Sequence, residues 1–207
     1  MQVECIFCNF IARDFIDIDN DKIADFCYER FNNNPFRDQR VPDRPSNQTW
    51  FSKEDLNQEP LKELFDIFNV KVNELHQQLG FKEDSYQIIN QSWATLNNSF
   101  YTSLPHCHPG AFFTCVYYVK SIDLNSPLEI INPIGAHAHV INRNVSEYNN
   151  INSSSYAEAP SPGKLVIFPS WLYHYVNNDF STSDRISIAF NTLIVKKGED
   201  IPKFRDT

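Results

Sequence analysis

A pair of histidines and a single histidine further along the chain could bind a metal ion. The pair His106 and His108 precedes the apolar segment Ala111–Val119, and His174 ends the apolar segment Gly163–His174. In an extended segment, residues two apart point to the same side, so both imidazoles of the pair could bind one ion. His174 stands where the wall of a barrel could supply a further ligand. Taken alone, the pair is weak evidence, because histidines on the surface or in the core are the alternative.

A polar stripe follows these histidines along the chain. In the segment Arg185–Asn191, strand alternation puts Arg185, Ser187, Ala189 and Asn191 on one face and three apolar side chains on the other. For this segment alone, the favoured interpretation is that the polar face meets solvent, as antiparallel sheets often allow. The alternative is that the stripe lines a pocket.

Taken together, the histidines and the stripe match the needs of one kind of iron enzyme. An Fe(II) centre that uses a keto acid and O2 needs three protein ligands on one side of the metal. It also needs a cation for the distal carboxylate of the keto acid, which a guanidinium binds through paired hydrogen bonds. The order His-x-His, long insertion, lone His and Arg-x-Ser resembles the 2-oxoglutarate- and Fe(II)-dependent oxygenase superfamily, whose fold is a double-stranded β-helix, or jelly roll.

Five motifs between residues 88 and 195 narrow the resemblance. They are similar to a family of 2-oxoglutarate-Fe(II) oxygenases of bacteria and cyanobacterial phages, whose substrates are largely undefined. The resemblance therefore implies a reaction class, with Fe(II) as cofactor and 2-oxoglutarate as cosubstrate, and leaves the substrate open. The motifs are Ser92-Trp93, Pro105–Gly110, Val116–Val119, Gly163–His174 and Arg185–Asn191.

The resemblance also implies roles for individual residues. His106 would be the proximal metal ligand and His174 the distal one. Arg185 would bind the distal carboxylate of 2-oxoglutarate, assisted by Ser187. Lesser candidates for hydrogen bonds to the cosubstrate are Asn97, Tyr118 and Asn191.

The chain departs from the superfamily at the third ligand. Most members have Asp or Glu two residues after the first histidine, and this chain has His108. Either His108 is the third ligand of a three-histidine site, which we favour, or His108 is the first ligand and Gly110 leaves the carboxylate position vacant. A vacant carboxylate position would resemble that of the halogenating members of the superfamily, in which a halide occupies this position.

Two other functions fit the same residues. A cupin-type dioxygenase would use three histidines without a keto acid, and it would not need Arg185 in its pocket. A non-catalytic jelly-roll binding module would carry the histidines incidentally.

Hydrophobic patterning predicts the elements that position the site. An initial strand lies within Cys5–Ile18, a short helix spans Asn20–Phe31, and an amphipathic helix spans Pro60–Leu79. We expect a mainly β (α+β) chain with a jelly-roll, cupin-like fold in one domain of residues 1–207, where residues 1–85 brace a core of residues 86–195. The predicted strands are Gln87–Asn97, Ala111–Lys120, Leu128–Ile131, Lys164–Phe168, Tyr173–Val176 and Arg185–Val195.

Several residues receive simpler interpretations. His76 lies on the polar side of the long helix and is expected to be solvated, and Trp93 and Trp171 are expected in the core. The segments Asn32–Asn47 and Asn132–Pro162 are predicted to be loops. We expect Asn132–Pro162 and the segment Phe31–Trp50 to frame the mouth of the pocket. We expect His137 and His139, within the loop Asn132–Pro162, to be surface residues.

Composition limits the partners and the compartment. The formal charge of -8 argues against broad nucleic-acid binding, which depends on many Lys and Arg side chains. We expect no membrane span and no signal peptide, because no apolar run is long enough and the first residues lack a basic region. The five cysteines, including Cys5 and Cys8, do not form a disulfide framework. The chain is therefore expected in the cytoplasm, or in the host cytoplasm if phage-encoded. Its expected partners are 2-oxoglutarate, O2 and a small-molecule or peptidyl substrate, and its oligomeric state stays open.

Overall fold

The chain folds into two antiparallel β-sheets with helices on the outer face of the larger one. The computed structural model describes residues 9–33, 48–97, 102–121, 126–134, 145–149, 151–177 and 183–204. The helices are α1 (Asn20–Asn33), α2 (Lys53–Leu56) and α3 (Leu61–Gln78). The strands are β1 (Ala12–Phe15), β2 (Gln48–Trp50), β3 (Ser85–Asn97), β4 (Ser103–His106), β5 (Phe113–Lys120), β6 (Leu128–Ile131), β7 (Ser155–Glu158), β8 (Lys164–Pro169), β9 (His174–Val176) and β10 (Arg185–Lys196).

The strand order confirms the predicted jelly roll. The major sheet has six strands in the order β1-β8-β5-β10-β3-β2, and the minor sheet has four in the order β4-β9-β6-β7. Every pairing is antiparallel. Most strand partners are therefore distant in sequence, as crossing between two facing sheets requires.

Helix α3 covers the major sheet because its apolar residues share one face. Phe65, Phe68 and Val72 recur at helical spacing and are buried. The ring of Phe68 stacks on Phe190 of β10 with ring centroids 4.6 Å apart, and it meets Tyr117 of β5 edge to face at 5.3 Å. The predicted helix Pro60–Leu79 is thus confirmed to within one residue at each end. Its buried residues belong to the larger of the two hydrophobic cores, which lies between the helices and the major sheet.

Three strands lie in segments that the sequence pattern did not assign as strands. Strand β2 follows the predicted loop Asn32–Asn47, β4 ends at the first histidine of the His-x-His pair, and β7 lies within the predicted loop Asn132–Pro162. Each is three or four residues long and stands at the end of its sheet in the strand order. Short edge strands have weak sequence signals, because polar residues and proline are tolerated there.

Two expectations about individual side chains were wrong. Trp171 is 53% exposed, although Trp93 is buried as predicted. His76 is completely buried and stacks on Phe81 with ring centroids 4.7 Å apart. His137 and His139, and likewise Cys5 and Cys8, lie outside the described residues.

The buried His76 belongs to a continuous hydrogen-bond chain. Its Nδ1 accepts from the side-chain amide of Gln87 at 3.0 Å, which leaves Nε2 as the donor to Ser85 Oγ at 3.0 Å. Ser85 Oγ in turn donates to the carbonyl of Lys82 at 2.8 Å. At the other end, Gln87 Oε1 accepts from Thr192 Oγ1 at 2.8 Å. These bonds tie α3 to β3 and β10, and they satisfy the buried polar groups.

Replacing His76 by alanine is expected to lower the free energy of unfolding by about 2 to 4 kcal/mol, because it opens a cavity and leaves the amide of Gln87 unpaired. Chemical denaturation measures the loss. The matched control is Gln77→Ala, an exposed position on the same helix, which should cost less than about 0.5 kcal/mol. Equal losses in the two variants would mean that the buried chain of hydrogen bonds contributes nothing.

In the part of the chain that the structure describes, none of the helices combines the length and the apolar character that crossing a bilayer would demand.

Candidate active site

A cavity of about 250 Å³ opens between the two sheets. Side chains of β2, β3, β5 and β10 line it from the major sheet, and side chains of β4, β6 and β9 line it from the minor sheet. A smaller hydrophobic core, which includes Trp93, Tyr118, Phe168 and Ala189, surrounds it between the sheets. The lining residues are Gln48, Trp50, Trp93, Thr95, Asn97, Ser103, His106, His108, Thr114, Val116, Leu128, His174, Val176, Arg185, Ser187 and Ala189.

The three predicted histidines come together at this cavity. His106 ends β4, His174 begins β9, and the two residues are paired across the minor sheet. His108 lies in the following loop, where its backbone N–H donates to the carbonyl of Ser170 at 3.0 Å. One side-chain ligand atom from each histidine lies within 4.8 Å of the others. The three imidazoles can therefore hold one metal ion.

Backbone carbonyls set the orientation of two of the rings. His106 Nδ1 lies 2.8 Å from the carbonyl oxygen of Leu104, and His174 Nδ1 lies 2.9 Å from that of Leu172. A carbonyl only accepts, so each Nδ1 carries the proton and each Nε2 keeps its lone pair. Metal-binding histidines are commonly oriented in this way by a second bond from the ring.

Burial keeps two of the histidines unprotonated. Burial lowers the pKa of His108 to about 3, with a further lowering by the neighbouring His174 and His106. Burial also lowers the pKa of His174 to about 4, although the hydrogen bond to the Leu172 carbonyl opposes the shift. At neutral pH these imidazoles are thus available as metal ligands without losing a proton first.

The Arg185 stripe faces the cavity, so the solvent-facing interpretation was wrong. Arg185, Ser187, Ala189 and Asn191 are all buried, because the minor sheet covers this face. The guanidinium of Arg185 lies 5.1 Å from the ring centroid of Tyr118. Its Nε has no hydrogen-bond partner, and among the described residues it forms no salt bridge. A buried cation without an anion is costly, which indicates an anionic ligand at this position.

The other predicted cosubstrate residues differ in position. Asn97 lines the cavity and is paired with Arg185 across the sheet. Tyr118 and Asn191 are buried but do not line it. Among the described residues, the hydroxyl of Tyr118 and the side-chain nitrogen of Asn191 have no partner within hydrogen-bonding geometry, while Thr114 Oγ1 donates to Asn191 Oδ1 at 2.9 Å. Burial raises the pKa of Tyr118, opposed by the nearby Arg185 charge, so its hydroxyl stays protonated.

The alternative with a vacant ligand position finds no support in the lining. Gly110 has a φ of +85° and does not line the cavity. His106, which that alternative would leave unused, lies in the histidine cluster.

Sequence reasoning did not identify the aromatic mouth of the cavity. Trp50 of β2 is 37% exposed and lies opposite Trp93 of β3, with ring centroids 4.8 Å apart. Thr114, Thr95 and Ser103 were also missed as lining residues. The alternation along β3, in which Trp93, Thr95 and Asn97 share one face, was the available signal for Thr95.

Comparison with known proteins agrees with this geometry. Residues 91–191 match the family model described as "Putative 2OG-Fe(II) oxygenase". This range begins in β3 and ends in β10, so it contains the three histidines, Arg185 and Ser187. No curated protein sequence matches the chain significantly.

Solved structures of low sequence identity share the fold. AviO1 from Streptomyces viridochromogenes Tue57 is 14% identical over 94% of this chain and 93% of that chain, with a TM-score of 0.59. EctD from S. alaskensis, solved with 2-oxoglutarate and 5-hydroxyectoine, is 11% identical over 89% of this chain and 71% of that chain, with a TM-score of 0.57. A prolyl-4-hydroxylase from Pseudomonas putida is 13% identical over 87% of this chain and 91% of that chain, with a TM-score of 0.56.

The family match over residues 91–191, the jelly-roll fold and the histidine cluster lead to one assignment: a 2-oxoglutarate- and Fe(II)-dependent oxygenase, with Fe(II) as cofactor and 2-oxoglutarate as cosubstrate.

Proposed function

We propose that the chain is a hydroxylase in which His106, His108 and His174 bind Fe(II), and Arg185 with Ser187 binds the distal carboxylate of 2-oxoglutarate. The observation that carries this proposal is that one cavity contains both the cluster of three histidines and a buried arginine that has no carboxylate partner among the described residues. A metal dication and a guanidinium in one pocket suit a dianionic keto acid.

The histidines fit the metal through their nitrogen donors. With Nδ1 of His106 and His174 directed at backbone carbonyls, their Nε2 atoms are the ligands. The ring of His108 packs against Trp93 with centroids 5.4 Å apart, and within the described part of the chain it forms no hydrogen bond. The absence of Gly110 from the lining supports His108 as the third ligand, in place of the usual carboxylate.

The cosubstrate fits the polar stripe of β10. Arg185 supplies charge and paired donors, and Ser187 supplies a hydroxyl two residues further along the same face. Asn97, paired with Arg185, adds an amide to the same end of the cavity. The ring of Tyr118 holds the guanidinium of Arg185 in place through a cation–π contact. Asn191 does not line the cavity, and we assign it the support of the lining residue Thr114, whose hydroxyl donates to Asn191 Oδ1.

When bound, Fe(II) and 2-oxoglutarate together supply the oxidising chemistry, in which O2 provides one oxygen atom to a substrate C–H bond and one to the succinate formed with carbon dioxide. The residues of the chain bind and orient the reactants and exclude water. Val116, Leu128, Val176 and Ala189 supply the apolar part of the cavity surface that this exclusion requires.

The remaining assignments are broader. We propose that residues 1–207 form one domain, supported by the packing of α1 and α3 against the major sheet. The substrate is a small molecule or a peptidyl group. A cytoplasmic location is consistent with the free cysteines Cys27, Cys107 and Cys115. The similarity to the bacterial and cyanophage family stays a prediction from sequence motifs. The location in a host cytoplasm, if the chain is phage-encoded, likewise stays a prediction.

Anaerobic calorimetry on the full chain tests the proposal. We expect one Mn(II) per chain, followed by one 2-oxoglutarate whose binding depends on the metal. The control is glutarate, which has both carboxylates but no keto group. It should bind more weakly than 2-oxoglutarate, and its affinity should be the same with and without Mn(II). With Fe(II) and O2, succinate should form.

Two results would contradict the proposal. If metal bound but 2-oxoglutarate did not, a cupin-type dioxygenase would be favoured. If no metal bound even after iron reconstitution, the chain would instead be a non-catalytic binding module.

A further inference from the structure

A row of aromatic rings leads from the surface into the cavity. Trp50 stands at the mouth, Trp93 follows with ring centroids 4.8 Å apart, and His108 lies 5.4 Å beyond Trp93. The exposed fraction falls along the row, from 37% for Trp50 to 7% for Trp93. The row thus extends from a partly exposed tryptophan to a histidine of the cluster, and all three side chains line the cavity.

The lining has few charges that could bind an ionic substrate. Apart from the histidines, Arg185 is the one ionisable side chain among the described lining residues. The remaining side chains are apolar or are neutral amides and hydroxyls. A substrate ion would therefore enter without a counter-ion of the protein, which is costly in a buried site.

Arg185 is too far from the tryptophans to pair with a group bound on them. Trp50 is aligned with Trp93, and Trp93 is aligned with Ala189 of β10. Arg185 lies four residues before Ala189, which corresponds to about 13 Å along a strand. The cosubstrate end and the aromatic end of the cavity are thus separate.

We propose that Trp50 and Trp93 form the substrate-binding surface, and that the substrate places an uncharged planar ring on it. This inference rests on the proposed function, because it takes the histidine cluster as the reaction centre. Planar rings stack favourably on tryptophan. An ammonium group would also be attracted by the indole faces, but none of the lining residues that the structure describes is a carboxylate that could pair with it.

Three probes of nearly equal shape test the charge preference. Benzamide is neutral, benzamidinium is cationic and benzoate is anionic. Each is titrated by ligand-detected saturation-transfer NMR against the full chain, both metal-free and loaded with Zn(II) and 2-oxoglutarate. We expect saturable binding of benzamide and affinities for both ions that are lower by at least about fivefold.

Variants at two tryptophans test the location. Trp50→Ala should weaken benzamide binding about tenfold, and Trp50→Phe, which keeps a ring, should weaken it by less than about threefold. The matched control is Trp171→Ala, which removes an exposed tryptophan that does not line the cavity and should leave benzamide binding unchanged. Circular dichroism verifies that each variant is folded.

The outcomes separate this inference from the proposed function. Tighter binding of benzamidinium or benzoate would overturn the neutral ring, and equal benzamide binding by Trp50→Ala and the wild type would overturn the tryptophan surface. Failure of metal or 2-oxoglutarate to bind would contradict the proposed function alone, because the titrations with metal-free protein still report on the tryptophans. Absence of benzamide binding in both forms would overturn the inference.

Discussion

Replacing His174 by alanine is expected to abolish iron binding and to reduce succinate formation at least about 100-fold. His174 is 5% exposed and its ring forms one corner of a triangle with the other two, with centroids 4.4 Å from His106 and 5.2 Å from His108. Its removal leaves two imidazoles, one of which belongs to a loop. Metal analysis after anaerobic loading, together with a succinate assay, measures both effects.

The control for this variant is another buried histidine. His76 is also buried, but it lies between α3 and β3, away from the cavity. His76→Gln should be less stable than the wild type and yet bind one iron per folded chain. Iron binding by His174→Ala at the wild-type level would remove His174 from the metal site.

His106→Ala identifies which frame of the His-x-His pair is used. If all three histidines are ligands, this variant should lose iron as His174→Ala does. If His108 were the first ligand and Gly110 marked the vacant position, His106→Ala would keep its iron. The pairing of His106 with His174 and the hydrogen bond from its ring to Leu104 lead us to expect loss.

The sequence was most informative where a strong pattern coincided with a site. Strand β10 alternates β-branched or aromatic residues with Arg185, Ser187 and Asn191, and this alternation predicted correctly which residues share a face. It did not predict what covers that face. Both faces of β10 are covered, one by helices and the other by the minor sheet, so both are buried. The interpretation that this polar face lines a pocket was favoured only when the stripe was considered together with the histidines and with the family resemblance that they share.

Edge strands and single side chains were the least predictable. Trp50 belongs to a strand of three residues whose partner, Trp93, is 43 positions further along the chain, and short-range patterns do not contain such pairings. The burial of His76 was predictable in part, because it follows Val72 by four residues and therefore lies on the apolar side of α3. Its polar character concealed this, since histidine is often exposed.

Replacing Arg185 by glutamine is expected to weaken 2-oxoglutarate binding at least about 100-fold, because the loss leaves the distal carboxylate of the ligand buried without a cation. Metal binding should be unchanged, since Arg185 is not part of the histidine cluster. Calorimetry of the Mn(II)-loaded variant measures both quantities. Arg185→Lys is the matched variant that keeps the charge but not the paired donors, and its affinity should be intermediate.

The same substitution should have the opposite effect on the ligand-free protein. Among the described residues, the Nε of Arg185 has no hydrogen-bond partner and the guanidinium has no salt bridge, so the folded state contains a buried charge that is poorly compensated. Arg185→Gln should therefore unfold at the same temperature as the wild type or at a higher one in the absence of 2-oxoglutarate. Mn(II) should stabilise both proteins, and 2-oxoglutarate added at a concentration that saturates the wild type should stabilise the wild type further but the variant much less, because ligand binding adds to the stability of the folded state. Destabilisation of the ligand-free variant, with 2-oxoglutarate affinity retained, would mean that Arg185 supports the fold and that another group binds the carboxylate.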